Sequence, residues 1–170
     1  MANEMDVFIK LLSLAKALKG FGIDELRDLL SISSKAMWKT SEHAFLEGDQ
    51  GRDMFIICSG KVSIWRKSGG RGVPLARLAE GESFGEMGLI RGGARSASAT
   101  ALEDTVALRI SQERLHQAPA AAALLYRNLA KDLAERLKIA DDIIVFQTQS
   151  GADSPHLMTI GRGRVKQPLV

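Results

Sequence analysis

The sequence predicts an α+β fold, an antiparallel β-roll (jelly roll) flanked by N-terminal helices and a long C-terminal helix. Three observations carry that expectation. From about Glu42 to Ile110 the chain reads as short strands punctuated by turns, a texture that fits a β-sandwich or jelly roll and not a parallel sheet. Ahead of it, Val7, Phe8, Leu11, Leu12, Ala15 and Leu18 fall at helical spacing. Behind it, Leu125, Leu129, Leu133 and Leu137 recur at intervals of four, one face of a long helix.

Taken in order, Gly20 and Gly22 end the first helix, and Asp24 reads as the cap of a second over Glu25 to Leu30. Met54 to Cys58 and Val62 to Trp65 are strand-like, and Ser59-Gly60-Lys61 between them is a hairpin signal. A second turn, Ser68 to Gly72, leads into Val73 to Leu78. Ser96 to Ala101 is a strand of small residues that leaves room for a ligand beside it. Pro119 suits the first turn of the long helix. Its leucines read as core or as a dimer seam, and the spacing of four is not the strict heptad of a sustained coiled coil. From Gln147 onward Gly, Ser, Pro and basic residues predict a mobile tail.

Composition narrows the function. The 170 residues are 45% hydrophobic and 25% charged, with a net charge of +3, which suits one globular domain and is too small to indicate nucleic acid. Arg162, Arg164 and Lys166 cluster in the tail without aromatic neighbours, so specific DNA binding is not expected. The single cysteine, Cys58, excludes an internal disulfide and fits a reducing, cytoplasmic setting. Val7 to Leu18 is too short and, with Lys10 and Lys16, too charged to span a membrane. His43, His116 and His156 are scattered, and none has metal-ligand spacing with another histidine or cysteine. No serine has a recognisable His and Asp partner, so neither a metal nor a catalytic residue is expected. Trp38 and Trp65 read as packing residues, not stacking platforms.

The most informative stretch is Ser83-Phe84-Gly85-Glu86-Met87-Gly88-Leu89-Ile90, followed by Arg91-Gly92-Gly93-Ala94-Arg95-Ser96-Ala97. It sets a glycine turn, one acid and one arginine between two strand-like segments. A short turn of helix there would aim its first N–H groups at an anion, and Arg95 would add a planar fork matching two phosphate oxygens. Glu86 would repel a phosphate but suits a sugar hydroxyl. Together they describe a pocket for a nucleotide with a single phosphate.

These residues resemble the phosphate-binding cassette of the cyclic nucleotide-binding domain family, F-G-E-x-[AG]-L-[LI] followed by [PA]-R-[STA]-A. Upstream, Gly48 to Val62 is similar to the glycine-bracketed hairpin of these domains, and Gly81 sits at another of their turn glycines. The resemblance covers roughly residues 25 to 145. It implies cAMP or cGMP as ligand, no further cofactor, and a site made by Phe84, Gly85, Glu86, Met87, Gly88, Arg95 and Ser96. Within it Glu86 would bond the ribose 2′-hydroxyl, Gly85 and Met87 would offer backbone N–H groups, and Ser96 would reach the phosphate or a guanine amino group. Ala94 stands where many members have proline. Ile139, Ala140 and Asp141 are the implied lid over the base.

Bacterial transcription regulators with this sensor continue into a helix-turn-helix, whereas here only the polar tail follows the long helix. The expected organisation is an N-terminal helical segment (1–30), a binding domain with its lid helix (31–146) and the tail (147–170). The expected function is a standalone sensor, not an enzyme, that regulates a protein effector or homodimerises through the C-terminal helix. Two alternatives stay open: an interaction or structural module that takes another small anion or no ligand, and a jelly-roll metal enzyme.

Overall fold

A computed structural model describes residues 15–149, in two compact units that divide between Asp132 and Leu133. The first unit opens with a 3-10 turn, Lys16–Leu18, and helix α1, Ile23–Ile32. Strands β1 (Ser34–Trp38), β2 (His43–Phe45), β3 (Asp53–Ser59), β4 (Val62–Ser68), β5 (Arg71–Leu78) and β6 (Ser83–Phe84) follow. Helix α2 (Glu86–Arg91), β7 (Ser98–Ala101), β8 (Thr105–Ser111), a 3-10 segment (Gln112–Gln117) and helix α3 (Pro119–Gln149) complete the described chain. The strands form two antiparallel sheets, ordered β1-β8-β3-β6 and β2-β7-β4-β5. The β-roll with flanking helices is therefore as the sequence predicts.

Three local expectations need correction. Ser59-Gly60-Lys61 is not a hairpin turn, because β3 and β4 belong to different sheets. The chain crosses from sheet to sheet there, and Gly60 lies so close to Thr105 that a Cβ would meet its Oγ1 at 2.5 Å. The hairpin is β4–β5 instead, where Gly69 and Gly70 carry φ of 57° and 77° between the paired Ser68 and Arg71, as a two-residue type I′ turn requires. The N-cap of α1 is Gly22, not Asp24; the Glu25 carboxylate reaches back to accept the Gly22 N–H at 2.9 Å. Strand pairing also starts ahead of Glu42, at Ser34, which faces Arg109 of β8.

Alternation along β3 builds two cores. Met54 and Ile56 face an aliphatic cluster with Leu18, Leu26, Leu29, Leu89, Ile110, Leu125 and Leu129. Phe55 and Ile57 face the other sheet and, with Phe84 and the half-buried Trp38 of their own sheet, meet Val62, Ala99, Phe45 and Ile64 of that one. Both tryptophans serve packing: Trp38 meets Phe55 edge-on at 5.2 Å, and Trp65 Nε1 donates to Thr100 Oγ1 at 2.8 Å. Burial raises the Cys58 thiol above its ordinary value.

Of the predicted N-terminal helix only its end is described; Ala15, Ala17 and Leu18 are buried around the 3-10 turn, and residues 1–14 lie outside the described residues. Pro119 opens α3 as expected. The leucine stripe divides. Leu125 and Leu129 are core and Leu133 is half-buried, but Leu137 is 61% exposed. Steps of four overshoot a helical turn by roughly 40° each, so such a stripe winds around the helix.

The second unit continues α3 from Leu133, with Leu137, Ile139, Ile143, Val145 and other apolar side chains exposed. The predicted tail begins too early, since Gln147 to Gln149 are still helical; residues 150–170 lie outside the described residues. Among the described residues no helix is long and apolar enough to cross a membrane.

Candidate functional site

The site is built where two loops are stitched together. Gly48 N–H donates to the Arg95 carbonyl at 2.9 Å, Arg95 N–H to the Asp49 carbonyl at 2.8 Å, and Gly51 N–H to the Gly93 carbonyl at 3.0 Å. A bridge between Gln50 and Ala94 lies within the same seam. With its backbone held on both sides, Arg95 turns its side chain inward and is 6% exposed.

Its guanidinium is held by main chain and by space. Nη1 donates to the Asp53 carbonyl at 2.6 Å and to the Gly85 carbonyl at 3.2 Å. The Phe45 ring lies 4.2 Å from the guanidinium carbon, within cation–π range. A Cβ at Gly51 or Gly88 would collide with the guanidinium, and one at Gly85 would approach Nη1 to 2.9 Å. These three glycines form a cradle that larger residues would fill.

Arg95 Nε is buried and has no hydrogen-bond partner among the described residues. No carboxylate pairs with Arg95 among the described ion pairs. A buried cationic donor left unpaired carries a full desolvation penalty, so the site is incomplete without an acceptor. Burial lowers the affinity of Arg95 for its proton; Arg109 lowers it too, and Asp53, Asp49 and Glu86 raise it. A guanidinium nevertheless stays charged in a protein.

Helix α2 starts immediately after Gly85. Gly88 N–H bonds the Gly85 carbonyl at 2.9 Å, so Gly88 contributes room for Arg95 and its N–H is already engaged. Leu89 is fully buried in the aliphatic cluster with Ala121, Leu125 and Leu129. Glu86 is buried at the first helical position, close enough for its charge to act on Arg95. Phe84 belongs to the aromatic cluster, 5.9 Å from the Phe45 ring.

The structure thus gathers Gly85, Glu86, Gly88 and, through the aromatic cluster, Phe84 around Arg95. Met87 is half-buried on α2 and Ser96 is exposed. Ile139, Ala140 and Asp141 are exposed and belong to the second unit. A cleft of about 480 Å³ reaches Arg95 past Trp38, Phe45, Asp49, Asp53 and Arg109; of the predicted site residues, Arg95 alone lines it. Among the described residues no three potential ligands gather for a metal.

Sequence reasoning missed Phe45, Gly51, Asp53 and Arg109. Asp53 acts on Arg95 through a carbonyl, which every residue has, and Phe45 reads as ordinary core. Gly51 had a visible signal in its spacing from Gly48, but its purpose is clearance for a side chain distant in sequence.

A two-sheet β-roll with a buried arginine whose Nε has no partner among the described residues, beside a short glycine-flanked helix, is the architecture of a small-ligand-binding domain. More particularly, residues 37–121 match the family model described as the cyclic nucleotide-binding domain, and the chain belongs to that family. It is 37% identical over 132 residues to a cyclic AMP receptor protein of Thermus thermophilus, covering 75% of this chain and 61% of that protein. To human cGMP-dependent protein kinase 2 it is 32% identical over 113 residues, 65% of this chain and 14% of the kinase. The crystal structure of the Thermus thermophilus catabolite activator protein superposes with a TM-score of 0.73 and 35% identity, over 79% of this chain and 63% of that one. The chain therefore spans less than two thirds of the length of each of these relatives.

Proposed function

We propose that this domain is a sensor of cAMP or cGMP, and that ligand binding acts through the C-terminal helix to regulate a protein partner or a second copy of the chain. The observation that carries the reading is the unpaired Nε of a buried Arg95. A cyclic phosphate supplies the missing acceptor, because its anionic oxygens match the guanidinium donors that the protein leaves unused. In this reading Glu86 accepts from the ribose 2′-hydroxyl, Gly85 and Met87 contribute main-chain N–H groups, Ser96 adds a hydroxyl, and Phe84 supports the aromatic floor. Ile139, Ala140 and Asp141 are assigned to the base. No additional cofactor or metal has a role. The relatives named for cyclic AMP and for cGMP support a cyclic nucleotide ligand without choosing its base.

The proposed output is a population shift, in which the ligand biases the helix by its differential affinity for two states. Coupling is supported by Leu89, three residues past Glu86, which shares its cluster with Leu125 and Leu129 of α3. Calorimetric titration of the wild type and of Arg95→Ala with cAMP and with cGMP tests the reading. Loss of two charge-assisted bonds predicts weakening by about a hundredfold or more in the variant. Absence of heat and of competition for both nucleotides in the wild type would refute the sensor and leave an interaction module or a site for another anion.

A further inference from the structure

Arg95 has a charged neighbourhood organised around a shared residue. Asp53 gives Arg95 its main-chain carbonyl at 2.6 Å, while its carboxylate binds Arg109 Nη2 at 2.7 Å. Asp53 opens β3, and Arg109 stands on the adjacent β8 opposite Phe55. Both line the cleft that reaches Arg95. The Asp53 side chain is 14% exposed against 49% for Arg109. A carboxylate that secluded needs a cationic partner.

Two guanidinium groups, Arg109 and Arg95, line the same cleft as this carboxylate. Of the charges around Arg95, Asp53 does most to favour the protonated form, so its carboxylate is already within electrostatic reach. Were Arg109 absent, the secluded carboxylate would find its remaining guanidinium in Arg95. An Asp53–Arg95 pair would occupy the donors that a ligand needs and place a negative charge beside the anion site.

We propose that Arg109 is a positioning residue that holds the Asp53 carboxylate away from Arg95, keeping the Arg95 donors available to an anionic ligand. The inference rests on the reading of Arg95 as the phosphate anchor. It deepens that reading by naming an ion pair that governs whether the anchor is open.

The test compares the wild type, Arg109→Met and the double variant Arg109→Met/Asp53→Asn. Each is titrated with cAMP and cGMP, and each ligand-free protein is examined for the ¹H–¹⁵N resonance of the Arg95 Nε–H group. Arg109→Met is expected to weaken binding by about tenfold or more and to shift that resonance as Arg95 gains a carboxylate. Neutralising Asp53 in the same background should restore both towards wild type, a rescue that simple loss of packing would not give. Wild-type affinity in Arg109→Met, or a double variant no better than the single one, overturns the proposal. If the wild type binds neither nucleotide, the sensor reading fails separately, and an unshifted Arg95 resonance in Arg109→Met still overturns this one. Should methionine lower the Tm enough to compromise folding, Arg109→Ala with and without Asp53→Asn provides the second pair.

Discussion

The two faces of the sheet β1-β8-β3-β6 are made by alternate residues of the same strands and do different things. Towards the helices, Met54, Ile56, Leu108 and Ile110 meet Leu26, Leu29, Leu125 and Leu129 in a cluster of aliphatic side chains. Towards the second sheet, Phe55 and Phe84 stack at 5.1 Å, and Phe45 carries the Arg95 guanidinium on its ring. The aliphatic face packs apolar side chain against apolar side chain. The aromatic face ends against a cation with an unused donor. Within a single strand, then, Met54 and Ile56 work for stability, and the intervening Phe55, with Asp53 before it, works for the site.

If that division holds, substitutions on the two faces should separate stability from binding. Leu29→Ala removes a fully buried side chain from the aliphatic cluster and should cost about 2–5 kcal/mol of stability, read from thermal or denaturant unfolding. The fraction that stays folded should bind cyclic nucleotide as the wild type does; a loss of intrinsic affinity would break the comparison. Gly88→Ala strikes the junction, since Gly88 faces the guanidinium while Leu89 beside it enters the aliphatic cluster. Crowding there should cost about 1–3 kcal/mol and also weaken binding, visible as a lower Tm together with a higher Kd. Phe45→Leu has the smallest expected effect. It preserves apolar volume but removes the ring beneath Arg95, worth about 0.5–2 kcal/mol, and calorimetry should register it mainly as a several-fold rise in Kd.

How much of this was legible beforehand depended on whether a residue acts locally. The roll was readable because some turns announce themselves, as Gly69-Gly70 does, and because Phe84 to Ala97 bears its motif in one contiguous run. The crossing at Ser59-Gly60-Lys61 was not, because the same residues suit a hairpin. What distinguishes the two is which strands β3 and β4 pair with, and the close approach of Gly60 to Thr105 comes from far along the chain. Leu125 and Leu137 look alike in the helical pattern, yet one is core and the other exposed; no periodicity says where the neighbouring elements stop. Around Arg95, the glycines were visible as glycines, but the carbonyl of Asp53 and the reach of Arg109 exist only once β3 and β8 pair.

That last dependence bears on the order in which the chain folds. The β4–β5 hairpin closes over a two-residue loop, a contact that forms in about 1–10 μs in isolated hairpins. The Arg95–Asp53 bond joins residues 42 apart in sequence, and β1 meets β8 across a still longer loop, Ser34 opposite Arg109. Pairings of that kind form late, because loop entropy is lost before any contact repays it. A chain with its hairpin made and its long-range strands still apart has no place for an anion. A ligand held at Arg95 would accordingly recognise the finished domain and draw the folding equilibrium towards it by mass action, so that occupancy of the site would measure completed folding.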